Sequence, residues 1–292
     1  MRRALLTGAT GFIGGHFAAR VIGDGWSVAA IMRPGSDTTR LPVEVEAIEH
    51  CGSVEALTQA IKAFAPDLAL HLASLYVAEH QPAQIAPLIT SNVRFVAELA
   101  EALTAAGITR LVNTGTAWQH LGTSDYRPVN LYAATKQAAE DVLRYYHDAR
   151  GLSVVTLKLF DSYGPGDTRR KLVQLLVDSA LSGETLAMSP GEQQVDLSHV
   201  HDIVDAMLVA GERMLVTDVP EWESFFVGGR RMTVRALADV VGQALGRPLA
   251  PAFGARPYRT REVMQPCPAV PLLPGWQPRI DLAAGIRQLA GV

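Results

Sequence analysis

The chain has 292 residues, 48% hydrophobic and 19% charged, with 26 Lys and Arg against 29 Asp and Glu for a formal net charge of −3. This is a globular composition that excludes extensive disorder and gives no global basic surface for nucleic acid. It holds no apolar run of the roughly 20 residues that a membrane span needs. Two cysteines, Cys51 and Cys267, exclude a disulfide framework, and no Cys/His spacing suits a metal.

Met1-Arg2-Arg3-Ala4-Leu5-Leu6 runs straight into a strand pattern and a glycine turn, so it reads as structure and not as a signal peptide; a cytoplasmic location is expected. Ala4–Thr7 is a strand and Phe12–Gly23 a helix. Strand Ser27–Met32, helix Val54–Phe64 and strand Asp67–Leu72 follow. Val93–Ala106 has helical spacing and stops at Gly107. Strand Leu111–Thr114, the long helix Leu131–Ala149 and strand Val154–Phe160 complete the alternation. Continuous apolar strands alternating with helices predict an α/β fold: a doubly wound parallel sheet covered on both faces. After Tyr163 the elements shorten, with helices over Leu172–Leu181 and Val234–Leu245 and a loop-rich stretch from Pro248 to Pro278. The expected division is a nucleotide-binding domain over residues 1–163, to which part of the later chain can return, and a smaller C-terminal lobe over 164–292.

Gly8-Ala9-Thr10-Gly11-Phe12-Ile13-Gly14 joins the first strand to the first helix. Gly8 permits the tight turn, Gly11 close approach of a pyrophosphate, and Gly14 close packing of helix on sheet. The helix N-terminus offers free N–H groups and a positive dipole end to phosphates. This predicts dinucleotide binding, with Gly8, Thr10, Gly11, Phe12 and Ile13 at the cofactor. The second strand ends Ile31-Met32-Arg33-Pro34, without the acid that would accept a ribose 2′-hydroxyl. A guanidinium fork suits a 2′-phosphate, so Arg33 favours NADP(H) over NAD(H).

Tyr132 and Lys136 lie four residues apart, on one helical face. A phenol near pKa 10 is a poor acid at neutral pH, and an ammonium one turn away favours the phenolate. Tyr132 can then exchange a proton with a substrate oxygen while hydride moves to or from a nicotinamide.

The chain resembles the extended short-chain dehydrogenase/reductase superfamily, in its nucleotide-sugar-modifying branch. The matching stretches are Thr7 to Gly14, His71-Leu72-Ala73-Ser74, Asn92-Val93, Tyr132 to Lys136, Tyr163-Gly164-Pro165-Gly166 and His199-Val200-His201-Asp202. Phe226-Val227-Gly228-Gly229 and Gly275-Trp276-Gln277-Pro278 are later landmarks in the same order. The resemblance implies a Rossmann domain and a small lobe closing over a nucleotide sugar. It adds Leu72, Ala73, Ser74, Asn92, Tyr132 and Lys136 to the cofactor site. It implies a catalytic Ser or Thr before the tyrosine helix, at Thr116, with Thr114 as second choice. It also implies a homodimer built on the helices Asn92–Ala106 and Leu131–Ala149.

In the 4,6-dehydratases and decarboxylases of this branch, acids follow that Thr; here Ala117 and Trp118 do. Dehydration needs an acid for the departing hydroxyl, so reduction, oxidation or epimerisation remain. Asn113 to Lys136 most resembles CDP-abequose-synthase-type 4-ketoreductases. The expected activity is NADPH-dependent reduction of a keto group at C4 of a nucleotide-activated deoxysugar. The alternatives are an epimerase with bound NAD(P), a reductase of a non-nucleotide ketone, and a non-catalytic NADP-sensing regulator, which would have no need of Tyr132 and Lys136.

Trp118 and His120 are candidates to line the sugar pocket, and Asp202 reads as a helix N-cap. Related chains often carry a diphosphate-binding arginine where this one has Val195. Arg256, Arg259 and Arg261 are the candidates to supply that charge. No metal, nucleic acid or membrane is expected as a partner.

Overall fold

The computed structural model describes all residues except 218, 220, 250, 269 and 270. The chain opens β1 (Arg3–Thr7), α1 (Phe12–Gly23), β2 (Ser27–Met32), β3 (Glu46–Glu49), α2 (Val54–Phe64) and β4 (Leu68–His71). A short helix α3 (Ile85–Ile89) passes through a π-turn at Thr90–Arg94 into α4 (Phe95–Ala105). Then come β5 (Arg110–Thr116), α5 (Leu131–Arg150), β6 (Ser153–Leu159) and β7 (Asp161–Tyr163). The rest is α6 (Leu172–Ser182), β8 (Ala187–Met188), β9 (Gln194–His199), α7 (Val200–Leu215), β10 (Trp222–Val227), β11 (Arg230–Thr233), α8 (Val234–Leu245), β12 (Ala252–Phe253) and α9 (Leu282–Ala290).

Seven strands form one parallel sheet in the order β10-β6-β5-β4-β1-β2-β3. Chain order reverses beside β1, whose neighbours are β2 and β4, and a doubly wound sheet binds ligands at the carboxyl ends of the strands at that point. One face is covered by α1 and α7, which bury Phe17, Val21, Ile203 and Met207 against Leu6, Leu70 and Val112. The other is covered by α2, α4 and α5, with Ile61, Leu99, Leu103 and Leu143 against Leu5 and Leu111. Both faces are buried, so the strands are continuous apolar runs without alternation. The late strand β10, absent from the sequence reading, completes the sheet by pairing with β6 from Trp222↔Val154 to Val227↔Leu159.

A separate core of Leu176, Val177, Leu237, Val241 and Ile286 lies among α6, α8 and α9, beside the small sheet β11-β9-β7. No helix among the described residues is long and apolar enough to cross a membrane. Cys51 and Cys267 are both free.

Asp202 is a brace and not an N-cap. His199 is the N-cap of α7, its side chain accepting from the His201 N–H. Asp202, 2% exposed in the first turn, accepts instead from the backbone N–H groups of Arg279 and Ile280, at 2.9 and 3.2 Å. Its carbonyl accepts from the Trp276 indole. Two distant segments, α7 and residues 276–280, meet on this one residue. Asp202→Ala leaves two N–H groups without a partner and is expected to cost about 2–3 kcal/mol, read as a lower midpoint in urea unfolding.

Candidate active site

A cavity of about 240 Å³ opens at the carboxyl ends of β1, β4, β5 and β6. Its floor is the glycine turn. Gly8 has φ +72°, and a Cβ there would lie 2.6 Å from Ala73 N. A Cβ on Gly14 would strike Gly8 O, and the Gly11 N–H donates to that same oxygen at 3.0 Å. The turn therefore lies flat under Leu72-Ala73 with α1 set directly on it. Thr7 fixes the two strand ends together: its hydroxyl oxygen accepts from Leu72 and Ala73 N–H and contacts His71 Nδ1 at 2.8 Å. No side chain caps the N-terminus of α1, whose N-cap is Gly11, so its first N–H groups remain available to an anion. This cradle fits the pyrophosphate of a dinucleotide.

One wall of the cavity is built by β5 and α5. Asn130 caps α5, its side chain accepting from the Ala133 N–H at 2.9 Å. Thr114, Thr116, Trp118 and Tyr132 all line the cavity. The two threonines differ in what their hydroxyls do. Thr114 donates to His71 O at 2.9 Å, so its proton is committed. The Thr116 oxygen accepts from the Trp118 N–H at 3.2 Å, which leaves its own proton free for a ligand oxygen.

Burial pushes the Tyr132 phenol up, opposed by the Ser74 hydroxyl and then by the charge of Arg169. In the scheme read from the sequence the opposing group is Lys136. Here Lys136 is 2% exposed and in the field of Glu140, with desolvation pulling its ammonium down to about 8. The neighbouring His71 imidazole is held neutral, its pKa lowered to about 3 by burial and then by Lys136.

The other expected residues divide. Gly8, Gly11, Phe12, Ile13, Leu72 and Ser74 line the cavity. Thr10 is exposed on the turn outside it, and Ala73 lies against Gly8. Asn92 spends its amide inside the protein: its oxygen accepts from Ser74 Oγ and Leu75 N, and its nitrogen donates to Leu75 O and Thr135 Oγ1. It ties the segment after β4 to the tyrosine helix. Arg33 is exposed just beyond β2 and makes no ion pair among the described residues. Its carbonyl accepts from the Ser36 hydroxyl at 2.8 Å.

His120 lies behind the wall, on Lys158. Arg256, Arg259 and Arg261 are exposed and outside the cavity lining. Arg261 caps the carbonyls of Pro128 and Val129, just ahead of Asn130. Arg259 is the one whose charge reaches Asp161 and Tyr76.

Sequence reasoning missed the opposite wall: Tyr76, Phe160, Asp161, Ser162, Arg169 and Lys171. Tyr76 stacks edge-on against Tyr132 at 5.1 Å, with the Lys171 ammonium 5.5 Å from its ring centroid. Arg169 sits 4.6 Å over the Phe12 ring and is held by Asp167 at 2.6 and 2.7 Å. Burial raises the Asp161 carboxyl; Lys171, Arg259 and Arg169 oppose it. The available signal was position alone: charged residues just past a strand of a doubly wound sheet stand at its ligand edge. A wider, open hollow of about 630 Å³ over α8 is lined by Asp239, Gln243, Arg247 and Phe253 among others. None of the expected site residues reaches it.

A flat glycine cradle at the switch point, with a Tyr-x-x-x-Lys helix beside a free threonine hydroxyl, defines an NAD(P)-dependent enzyme of the extended short-chain dehydrogenase/reductase class. The model of the NAD dependent epimerase/dehydratase family matches residues 4–221, and the chain belongs to that family. It is 26% identical to a CDP-abequose synthase of Yersinia pseudotuberculosis, over 90% of this chain and 91% of that one. It is 29% identical to a UDP-glucose 4-epimerase of Mycolicibacterium smegmatis, over 97% and 96%. The solved structure of MoeE5 in complex with UDP-glucose and NAD superposes with a TM-score of 0.82, at 26% identity over 99% and 97%.

Gly14→Ala forces α1 away from Gly8 O. It is expected to cost about 1–3 kcal/mol of stability and to weaken NAD(P)H binding in a fluorescence titration, with helix content retained.

Proposed function

We propose that this enzyme reduces a keto group, at C4, of a nucleotide-activated deoxysugar, using NADPH. The carrying observation is the composition of the catalytic wall. Thr116 and Tyr132 face one cavity, and the residues after Thr116 are Ala117 and Trp118, so no acid follows Thr116 on this wall, and the cavity's carboxyl is Asp161 on the opposite one. The relative named CDP-abequose synthase supports the same reading.

Held on the cradle of Gly8, Gly11 and Gly14, a nicotinamide dinucleotide would supply the hydride. The Thr116 hydroxyl donates a hydrogen bond to the carbonyl oxygen and fixes its direction. Tyr132 gives its phenolic proton to that oxygen as charge develops on it. Lys136, buried one helical turn behind the phenol and outside the cavity lining, is read as the group that holds the nicotinamide ribose when the cofactor binds. Ser74 and Arg169 oppose the cost of a buried phenolate. Lys171, Arg169 and Arg259 are the cations around the substrate side and take the diphosphate role for which Val195 is unsuited. Asp161 accepts from ring hydroxyls. Trp118 and Tyr76, 5.8 Å apart, bound the sugar.

NADPH is favoured by Arg33, exposed at the end of β2, where β2 itself ends without an acid and Arg33 makes no ion pair among the described residues. The similarity to a UDP-glucose 4-epimerase favours a second reading, epimerisation through a transient ketone. Arg33, read as a 2′-phosphate ligand, weighs against it, since an epimerase regenerates its own cofactor and has no need to exchange it.

The test is a panel of nucleotide 4-keto-6-deoxysugars with NADPH, following loss of reduced nicotinamide absorbance. Turnover is expected with at least one of them. Turnover of only non-nucleotide ketones, or interconversion of UDP-glucose and UDP-galactose without net oxidation, overturns the reading. Tyr132→Phe should lower kcat by about 10²-fold or more and leave NADPH affinity nearly unchanged. Arg33→Ala should weaken NADPH by about tenfold or more while NADH binding barely moves; equal losses refute the NADPH preference.

A further inference from the structure

Gly115 separates two threonines, at a place where a third hydroxyl would be unremarkable. Its reason lies beneath the strand. A Cβ on Gly115 would come within 2.9 Å of Gln119 Oε1, 3.0 Å of Glu140 Oε1 and 3.0 Å of Lys158 Cγ. Three polar side chains are thus pressed against the back of the catalytic strand, all buried: Gln119 0%, Glu140 7% and Lys158 7% exposed.

Their hydrogen bonds form a closed set. The Thr116 N–H donates to Gln119 Oε1 at 2.9 Å. Gln119 Nε2 donates to Glu140 Oε1 at 2.9 Å and to Gln137 Oε1 at 2.8 Å. Lys158 Nζ lies 3.7 Å from Glu140 Oε2 and 2.9 Å from His120 Nε2. His120 Nδ1 in turn meets the Asp125 carbonyl at 3.1 Å, so Nδ1 carries the ring proton and Nε2 accepts from the lysine. Glu140 is also one helical turn beyond Lys136, on the same face of α5.

We propose that Glu140 is the positioning residue of this active site: through Gln119 it fixes the backbone of Thr116, and across one helical turn it keeps Lys136 charged. The inference rests on the reading of Thr116, Tyr132 and Lys136 as the reacting set. Two independent parts of the chemistry, the hydroxyl that aims the carbonyl and the ammonium behind the phenol, then hang on one carboxylate. The charge argument is electrostatic. Lys136 faces neutral His71 from β4 and has Glu140 as its opposing charge. Glu140 faces Lys158 from β6, Gln119 from the turn after β5, and Lys136 and Asp141 on its own helix. A desolvated ammonium loses its proton readily unless an anion is near, and an opposite charge at such range moves a pKa by about one to three units. Burial pushes the Glu140 carboxyl up, and Lys158, the Gln119 amide and Lys136 oppose that push, favouring the carboxylate the task needs.

The test reads Lys136 directly, with no need of a substrate. In protein with 13Cε-labelled lysine, the Lys136 resonance is assigned by its loss in Lys136→Met, and its titration is followed by NMR. Wild type should titrate near pH 8, Glu140→Gln about one unit or more lower, and Glu140→Asp in between. Because Glu140→Gln leaves Lys158 without its anion and can unfold the chain, Glu140→Gln/Lys158→Met is measured alongside. A Lys136 midpoint unchanged in whichever of these variants folds overturns the proposal. With a substrate from the panel above, Glu140→Gln should move the alkaline limb of kcat to lower pH by the same amount. Gln119→Leu should lower kcat with that limb in place and NADPH affinity retained. A fall confined to stability, with kcat and its pH profile as in wild type, marks a structural brace only and also overturns it. If the panel gives no turnover at all, the functional reading fails while the lysine titration still decides this one.

Discussion

The site depends on one backbone oxygen. Gly8 O lies in the angle between β1 and α1, accepts from the Gly11 N–H, and has room only because residue 14 carries no side chain. Gly8 itself is wedged under Leu72-Ala73, in a left-handed conformation that a Cβ would both strain and obstruct. This contact sets the distance from the first helix to the sheet. With it go the aim of the helix N-terminus and the width of the crevice where chain order reverses. The Thr7 hydroxyl joins the ends of β1 and β4, and the later strands follow in register from there.

Charge is arranged in two layers around that crevice. On the open side, Lys171, Arg259 and Arg169 act on the buried Asp161, with Arg169 held by Asp167 and Arg259 4.0 Å from Glu79. Behind the catalytic strand, Lys136, Glu140 and Lys158 form a buried alternation of charge, with Gln119 and His120 satisfying the remaining donors and acceptors. Buried charges are costly unless paired and hydrogen-bonded: Glu140 has Gln119 and Lys158, Lys158 has His120, and Lys136 lies in the field of Glu140.

Much of the first half was legible in the sequence because its signals are local. A glycine turn between strand and helix states its own conformation, and Tyr132 and Lys136 share a face by helical spacing alone. Thr116 was preferred to Thr114 by position alone; that the Thr114 proton is committed to His71 O was not legible. Asn92 read as a cofactor ligand because it stands in the right stretch, yet its whole amide is spent on Ser74, Leu75 and Thr135. Asp202 read as a helix cap because it begins a helix, and its partners proved to be more than seventy residues away.

Sequence by itself determined the alternation of elements, the dinucleotide cradle and the Tyr/Lys pair, since each is written in neighbouring residues whose spacing is their geometry. Tertiary structure decided what faces the cradle. The cations opposite it are Arg169 and Lys171 from the segment after β7, joined by Arg259. Arg261, on the same loop as Arg259, turns away to cap Pro128 and Val129. The return of β10 to β6 and the contact of Gln119 with Glu140 are of the same kind. Loops carry no periodicity, and a side chain's partner across a crevice is chosen by packing between segments that the chain order keeps apart.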